Sequence, residues 1–355
     1  MGLERNEKII KDNKCNMRLS IVMPIYNVSK WLGRCIASIR NQGLTADDYE
    51  IIAVNDGTPD DSMEVLEAFR REEEKSGEPI APWIIINQEN KGLSAARNAG
   101  LKAAHGVYVW FVDSDDYLEP GSLKPLLEKA EKFRLDVLCF GLQLVSEKGD
   151  ILPYPISDRS EGRTLKGEEF MLKVDMPPAA WAALYRRGYL QMNGLKFYEG
   201  LLHEDQEFTP RAYFKARRIA FDPIVAYNYV QREGSIMKSA NPKKSTDMLI
   251  ICQRLWDFAM ENTQIESSIR YLFINRISFL FSQVLSNFCR CGVKDFPGDE
   301  KKLPYYPLSI NKYLSKRERY KYELINSSVH LYLSLYSKFV KTDTSAQPGS
   351  KLRKR

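Results

Sequence analysis

The chain has 355 residues, 44% hydrophobic and 28% charged, which excludes disordered and fibrous classes and leaves room for one large domain or two smaller ones. Its net charge of +6 is unevenly spread: residues 301–355 carry 13 Lys/Arg against 3 Asp/Glu, so a basic end follows a slightly acidic body. Six scattered cysteines without a C-x-x-C argue against a disulfide framework or a zinc site and for a reduced compartment.

The opening MGLERNEKIIKDNKCNMR is charged throughout, so no secretory leader is expected. Then strand and helix signals alternate. LSIVMPIY is a buried-strand run; SKWLGRCIASIRNQG places Leu32, Cys35, Ile36 and Ile39 at helical spacing before Gly43. YEIIAVND, PWIIINQ, VYVWFVD and DVLCFGLQLV read as further strands. DDSMEVLEAFRREEEKSG, LSAARNAGLKAAHG and GSLKPLLEKAEKF read as helices between them. This alternation predicts an α/β domain with a mainly parallel central sheet, whose ligand site lies at the carboxyl ends of the strands. Those ends deliver Tyr26 and Asn27, Asn55 and Asp56, and then Asp113, Asp115 and Asp116.

A Pro- and Gly-punctuated connection follows residue 150, a second segment covers roughly 165–240, and beyond 243 the pattern is helical. The most apolar helical stretch, YLFINRISFLFSQVLSNF, contains Arg276 and Gln283 and falls short of the ~20 clean apolar residues of a span. YELINSSVHLYLSLYSKFVK sets Ile325, Val329, Tyr332, Tyr336 and Phe339 on one helical face between basic clusters. That face either docks on an anionic membrane or packs on the rest of the protein.

No G-x-x-x-x-G-K-[ST] and no G-x-G-x-x-G is present, so a nucleotide's phosphates need another partner. Two carboxylates at D-S-D suit Mn²⁺ or Mg²⁺, hard cations that complete their shell with water and phosphate. D-x-D alone is a weak motif, because acids also favour a helix N-terminus.

The conjunction of SIVMPIYN, VNDGTPDDS, NQENKGLSAARNAGLKAAHGVYVWFVDSDDYLEP and HEDQEF, in this order and spacing, resembles the family 2 glycosyltransferases of GT-A fold, in particular bacterial members that build surface polysaccharides. The similarity is strong over 18 to about 130 and looser over 175–240, down to AYNYVQREGSI. It implies a glycosyltransferase domain at 18–240, with a nucleotide-sugar half at 18–145 and an acceptor and catalytic-base half at 165–240. A helical region at 243–342 and a basic, disordered tail at 343–355 complete the expected organisation. The expected reaction is metal-dependent, inverting transfer from a nucleotide-diphosphate sugar, UDP-linked, to a saccharide or lipid-linked saccharide acceptor.

Carried over by motif, Pro24, Tyr26 and Asn27 line the donor site, with Tyr26 on the base and Asp56 accepting from its imide N–H. Arg97 and Asn98 border the nucleotide, Asp113 meets the ribose or a metal-bound water, and Asp115 holds the metal. Asp205 is the implied general base with Glu204 beside it; Trp181, His203, Arg232 and Ser235 fall on the acceptor side. Ordinary structural readings stand beside these: a core tyrosine, a turn aspartate in NDGT next to Gly57, an Arg97 that braces the acids, a solvated helix start at HED. Ala183 departs from the lysine that many relatives carry. The rival functions are a non-catalytic sugar-nucleotide-binding or scaffold protein and a nucleotidyltransferase. The expected location is cytoplasmic, peripheral on the inner membrane face, with no nucleic-acid partner.

Overall fold

The computed structural model describes residues 17–232, 240–312 and 314–337. In chain order the first elements are β1 (Leu19–Ile25), α1 (Ser29–Arg40), β2 (Tyr49–Asn55), α2 (Ser62–Ser76), β3 (Trp83–Asn87), α3 (Leu93–Ala103), β4 (Tyr108–Phe111), β5 (Tyr117–Leu118), α4 (Leu123–Lys132) and β6 (Val137–Ser146). Then come β7 (Ile151–Pro153), α5 (Gly167–Lys173), β8 (Ala183–Arg186), α6 (Arg187–Met192), α7 (Asp205–Phe214) and β9 (Ile219–Gln231). The last described helices are α8 (Pro242–Asn262), α9 (Ser268–Arg290), α10 (Lys316–Ser327) and α11 (Val329–Tyr336).

Among the described residues nine strands form one sheet in the order β3-β2-β1-β4-β8-β6-β9-β5, with β7 on β6. The pairs β1–β2, β1–β4, β2–β3 and β6–β9 are parallel; those involving β8, β5 and β7 are antiparallel. Every residue of β1 is buried: Leu19, Ile21 and Met23 enter one apolar cluster and Val22 the opposite one, because helices cover both faces of a parallel sheet. On α1 the four residues at helical spacing, Leu32, Cys35, Ile36 and Ile39, are the buried ones.

The expected mainly parallel sheet is present, and the region after 165 contributes to it. Its strands β8 and β9 enter the same sheet, with β9 paired to β6 over ten positions. The strand order reverses at β1: β2 lies on one side and β4 on the other. In open α/β sheets ligands bind beside such a reversal, at the carboxyl ends of the strands.

The chain divides into two compact units. One comprises the chain up to Gly200 together with Phe208–Gln231; the other comprises Leu201–Glu207 together with the chain from Arg232 onward. The seven residues that contain the expected base therefore group with the C-terminal helices and not with the 18–240 segment. In this second unit α8 and α9 run antiparallel. Ser245 Oγ donates to Val284 O at 3.2 Å, and Phe258 packs on Phe273 with ring centroids 5.6 Å apart.

The apolar face expected around residues 325–339 has an occupant. Ile325, Val329 and Tyr332 are buried within the second unit, and Ser286 and Tyr332 share a hydrogen bond at 3.2 Å. The helix also breaks at Ser328, whose side chain accepts from Leu331 N–H to start α11. Phe339 and the basic tail lie outside the described residues. No helix among the described residues is long and apolar enough to cross a membrane.

Candidate active site

At the carboxyl end of β1 the hydrogen-bond ladder to β4 runs out. Val112 N–H still donates to Val22 O at 2.9 Å, and two residues on, where Pro24 faces the same way, Ser114 Oγ donates to Pro24 O at 2.6 Å. Pro24 has no N–H to leave unsatisfied there. The middle residue of D-S-D thus pins the turn to β1, and burial alternates through it: Ser114 and Asp116 are buried, Asp113 and Asp115 partly exposed. Asp113 and Asp115 are held at the surface because their neighbours are held inside.

Asp116 is fixed from β9. Tyr227 Oη donates to Asp116 Oδ2 at 2.9 Å, Val230 N–H donates to Oδ1 at 2.7 Å, and Tyr227 Oη also accepts from Asp113 N–H at 3.1 Å. Burial, then the neighbouring Asp115 and Asp113 carboxylates, pushes the Asp116 carboxyl well above the usual range. Trp181 stacks on Tyr227 with centroids 4.3 Å apart and on Tyr229 at 5.4 Å. Its ring, expected on the acceptor side, is 8% exposed and backs this tyrosine. Ala183, where relatives carry lysine, is fully buried opposite Cys139.

Arg97, on α3, is 2% exposed, and its Nη2 donates to Asp113 Oδ1 at 2.5 Å while its guanidinium lies over Phe197. A cation this deep needs a carboxylate, and Asp113 supplies it. Asn98 is similarly engaged: its Nδ2 donates to Phe197 O and Glu199 Oε1, and its Oδ1 accepts from Phe197 N–H.

Asp56 follows β2 and is 3% exposed. Its Oδ1 accepts from Gln88 Nε2 at 2.7 Å and Lys91 N–H at 2.9 Å; its Oδ2 accepts from Gly92 N–H at 2.8 Å. The carboxylate organises the loop that leads into α3. Gly57 is required beside it: its φ is +66°, and a Cβ there would sit 2.9 Å from Asn90 N. Asn27, at φ +55°, donates its N–H to Thr58 Oγ1 at 2.8 Å. Thr58 in turn donates to Asp60, which also accepts from Ser29 and Ser62. Against its own desolvation, these bonds hold the Asp60 carboxyl well below its ordinary value. Tyr26, by contrast, projects outward and is 47% exposed.

So Tyr26, Asn27, Asp56, Arg97, Asp113 and Asp115 converge on one edge of the first unit. Ser114, Gln88 and Tyr227 complete that edge and were not singled out from sequence. Ser114 could have been, as the residue between two outward carboxylates. Tyr227 carries no local signal, because its partner Asp116 is 111 residues away.

The second unit holds the expected base and its neighbours, while Trp181 belongs to the first. His203 takes φ +62°, and burial, with Lys244 nearby, pushes its imidazole down to about 4. Glu204 is 5% exposed. Asp205 opens α7, and its Oδ1 accepts from Gln206 N–H at 2.8 Å. Arg232 is partly exposed, and Ser235 lies outside the described residues.

The sequence profile of Glycosyl transferase family 2 matches residues 20–192. Among curated proteins, EpsJ of Bacillus subtilis (strain 168), named as a glycosyltransferase, is 34% identical over 225 residues, covering 61% of this chain and 62% of EpsJ. EpsH of the same strain, also named as a glycosyltransferase, is 30% identical over 255 residues, covering 70% of this chain and 71% of EpsH. The chain thus spans just under two thirds of the first relative and somewhat more of the second. Among solved structures, Staphylococcus aureus TarS 1–349 in complex with UDP-GlcNAc has a TM-score of 0.64 at 22% identity, with 91% of each chain covered. That likeness is one of fold. The profile runs through the strand ends bearing Asp56, Asp113 and Asp115, and the EpsH match extends it over most of both chains: this protein belongs to the family 2 glycosyltransferases.

Proposed function

We propose that the protein transfers a sugar from a UDP-linked donor to a saccharide or lipid-linked saccharide acceptor in the assembly of a surface polysaccharide. The observation that carries this reading is the pair Asp113 and Asp115, kept outward by Ser114 and Asp116, with Asp113 fixed by Arg97. Their hard oxygens suit Mn²⁺ or Mg²⁺. Among the described residues no group of three or more His, Cys, Asp and Glu could hold a metal; two carboxylates alone would hold such an ion with water and donor phosphates completing its shell. An ion bound there would supply Lewis-acid neutralisation of the departing diphosphate.

For the base, a carboxylate offers about four acceptor positions, and three at Asp56 are occupied. One more is in keeping with a single imide N–H, as uracil has, while the exposed Tyr26 supplies a stacking face. UDP-GlcNAc bound to TarS supports the same donor class. TarS is named as a poly(ribitol-phosphate) beta-N-acetylglucosaminyltransferase, which supports a polymeric surface acceptor here. Asp205 takes the acceptor hydroxyl's proton as the new bond forms, with inversion at the anomeric carbon. The enzyme works in the cytoplasm, at the inner face of the membrane. There the exposed first turn of α10 offers Lys316, Arg317 and Arg319 beside Tyr320, itself 70% exposed.

The test is titration with UDP and GDP, with and without Mn²⁺, of the parent protein and Asp115→Asn. UDP should bind more tightly than GDP, and only with the metal; Asp115→Asn should keep the fold and lose the metal dependence. Tighter GDP binding, or Mn²⁺-dependent UDP binding retained in the variant, overturns the donor assignment. Slow release of UDP from UDP-glucose or UDP-N-acetylglucosamine then reports turnover.

A further inference from the structure

We infer that helices α8 and α9 set the pose of the segment carrying Asp205, with Asp247, Arg254 and Arg276 as positioning residues; this rests on the reading of Asp205 as the base. The segment Leu201–Glu207 is seven residues long and belongs to the same compact unit as these helices. It is anchored on both sides of Asp205. Upstream, Leu202 N–H donates to Asp247 Oδ2 at 2.8 Å, and Lys243 Nζ holds the same oxygen at 2.5 Å. Downstream, Gln206 Oε1 accepts from Arg276 Nη2 at 2.5 Å, and Glu207 Oε1 accepts from Arg254 Nε at 3.0 Å.

The spacing of the anchors follows from helix geometry. Asp247 and Arg254 are seven residues apart on α8, two turns, so they share one face about 10 Å apart. One grips position 202 and the other position 207, which fixes the span between them. Arg276 reaches in from α9, and the two helices are locked together: Asn287 Nδ2 donates to Asn241 O and Ser245 Oγ, both at 2.8 Å. Between the anchors His203 adopts φ +62°, the bend that turns the chain into α7.

The chemistry of the anchors is matched to burial. Glu207 is fully buried, and a buried carboxylate keeps its charge only with a partner such as Arg254. Gln206 N–H donates both to His203 O and to Asp205 Oδ1, so moving residues 206–207 moves the Asp205 carboxylate with them. A base displaced by ~1 Å can lose about 10²-fold in rate, which makes these remote side chains kinetically visible. The helices beyond residue 240 are in this view part of the catalytic apparatus and not an appended module.

The experiment compares the parent, Arg254→Met, Asp247→Asn, Asp205→Asn and the double variant Arg254→Met/Asp205→Asn as full-length proteins. Turnover is read as UDP release from UDP-glucose or UDP-N-acetylglucosamine with Mn²⁺, and hydrogen exchange is read on the peptide spanning 201–207. Arg254→Met and Asp247→Asn should lower kcat about 10–100-fold with KM for the donor unchanged, and should speed exchange in 201–207 but not in β1 or β2. In the Asp205→Asn background, Arg254→Met should cost almost nothing more, because it acts through that carboxylate. Parental kcat and exchange in both single variants overturn the inference, as does a full additive loss in the double variant. If Asp205→Asn itself turns over like the parent, the base assignment fails instead, and exchange in 201–207 still decides whether the anchors hold the segment.

Discussion

Replacing Tyr227 with phenylalanine isolates the hydrogen bonds that hold the D-S-D turn. The ring that stacks on Trp181 at 4.3 Å stays, so packing is conserved and one oxygen is removed. Two bonds go with it: the donation to Asp116 Oδ2 at 2.9 Å and the acceptance from Asp113 N–H at 3.1 Å. Both groups are then left unsatisfied, at about 1–3 kcal/mol each, or roughly 2–6 kcal/mol together. Of its two described bonds the Asp116 carboxylate keeps only that from Val230 N–H, at a residue that is 1% exposed. For a unit of this size each kcal/mol moves the midpoint by about 2–4 °C, so a fall of roughly 4–24 °C is expected in thermal unfolding. The same change loosens Asp113 and should weaken Mn²⁺-dependent UDP binding by about tenfold. A destabilisation below about 0.5 kcal/mol, the size of an ordinary surface substitution, would refute the claim that Tyr227 fixes the turn.

The pH dependence of stability has a definite sign at His203, whose folded value of about 4 lies below the ordinary 6.5. Above 6.5 both folded and unfolded forms are neutral and stability is full; as pH falls from 6.5 to 4 the unfolded chain takes the proton first, and stability declines by at most about 3 kcal/mol. His203→Asn, which tolerates the left-handed backbone, should flatten that slope in denaturant titrations at pH 7, 5.5 and 4.5, and an unchanged slope would assign it elsewhere. On the C-terminal side, Lys316→Glu, Arg317→Glu and Arg319→Glu together should weaken co-sedimentation with anionic vesicles by ~100-fold or more, at about 1 kcal/mol per basic residue removed. Equal binding of parent and variant to phosphatidylserine-containing vesicles would remove α10 as the docking element.

What sequence could and could not yield divides along a physical line. Local chemistry was legible: apolar runs ending in carboxylates put Asp56, Asp113 and Asp115 at strand ends, because a buried parallel strand must be apolar on both faces and its end is where polarity resumes. What each carboxylate does next depends on partners distant in the chain. Asp56 reaches Gln88, Lys91 and Gly92, and Asp116 reaches Tyr227; no spacing rule encodes either. The same limit explains the C-terminal face. Periodicity establishes that Ile325, Val329 and Tyr332 share an apolar stripe, yet a stripe that meets lipid and one that meets another helix have the same period. Here the stripe is buried inside its own unit, and Lys321 follows it inward: its Nζ donates to Ser286 Oγ at 3.0 Å, and burial pushes it down to about 8. A lysine of the basic cluster before this face is thus half-buried against α9. Among the described basic residues of that cluster, Lys316, Arg317 and Arg319 remain exposed, which is why the charge-reversal experiment targets those three and leaves Lys321 alone.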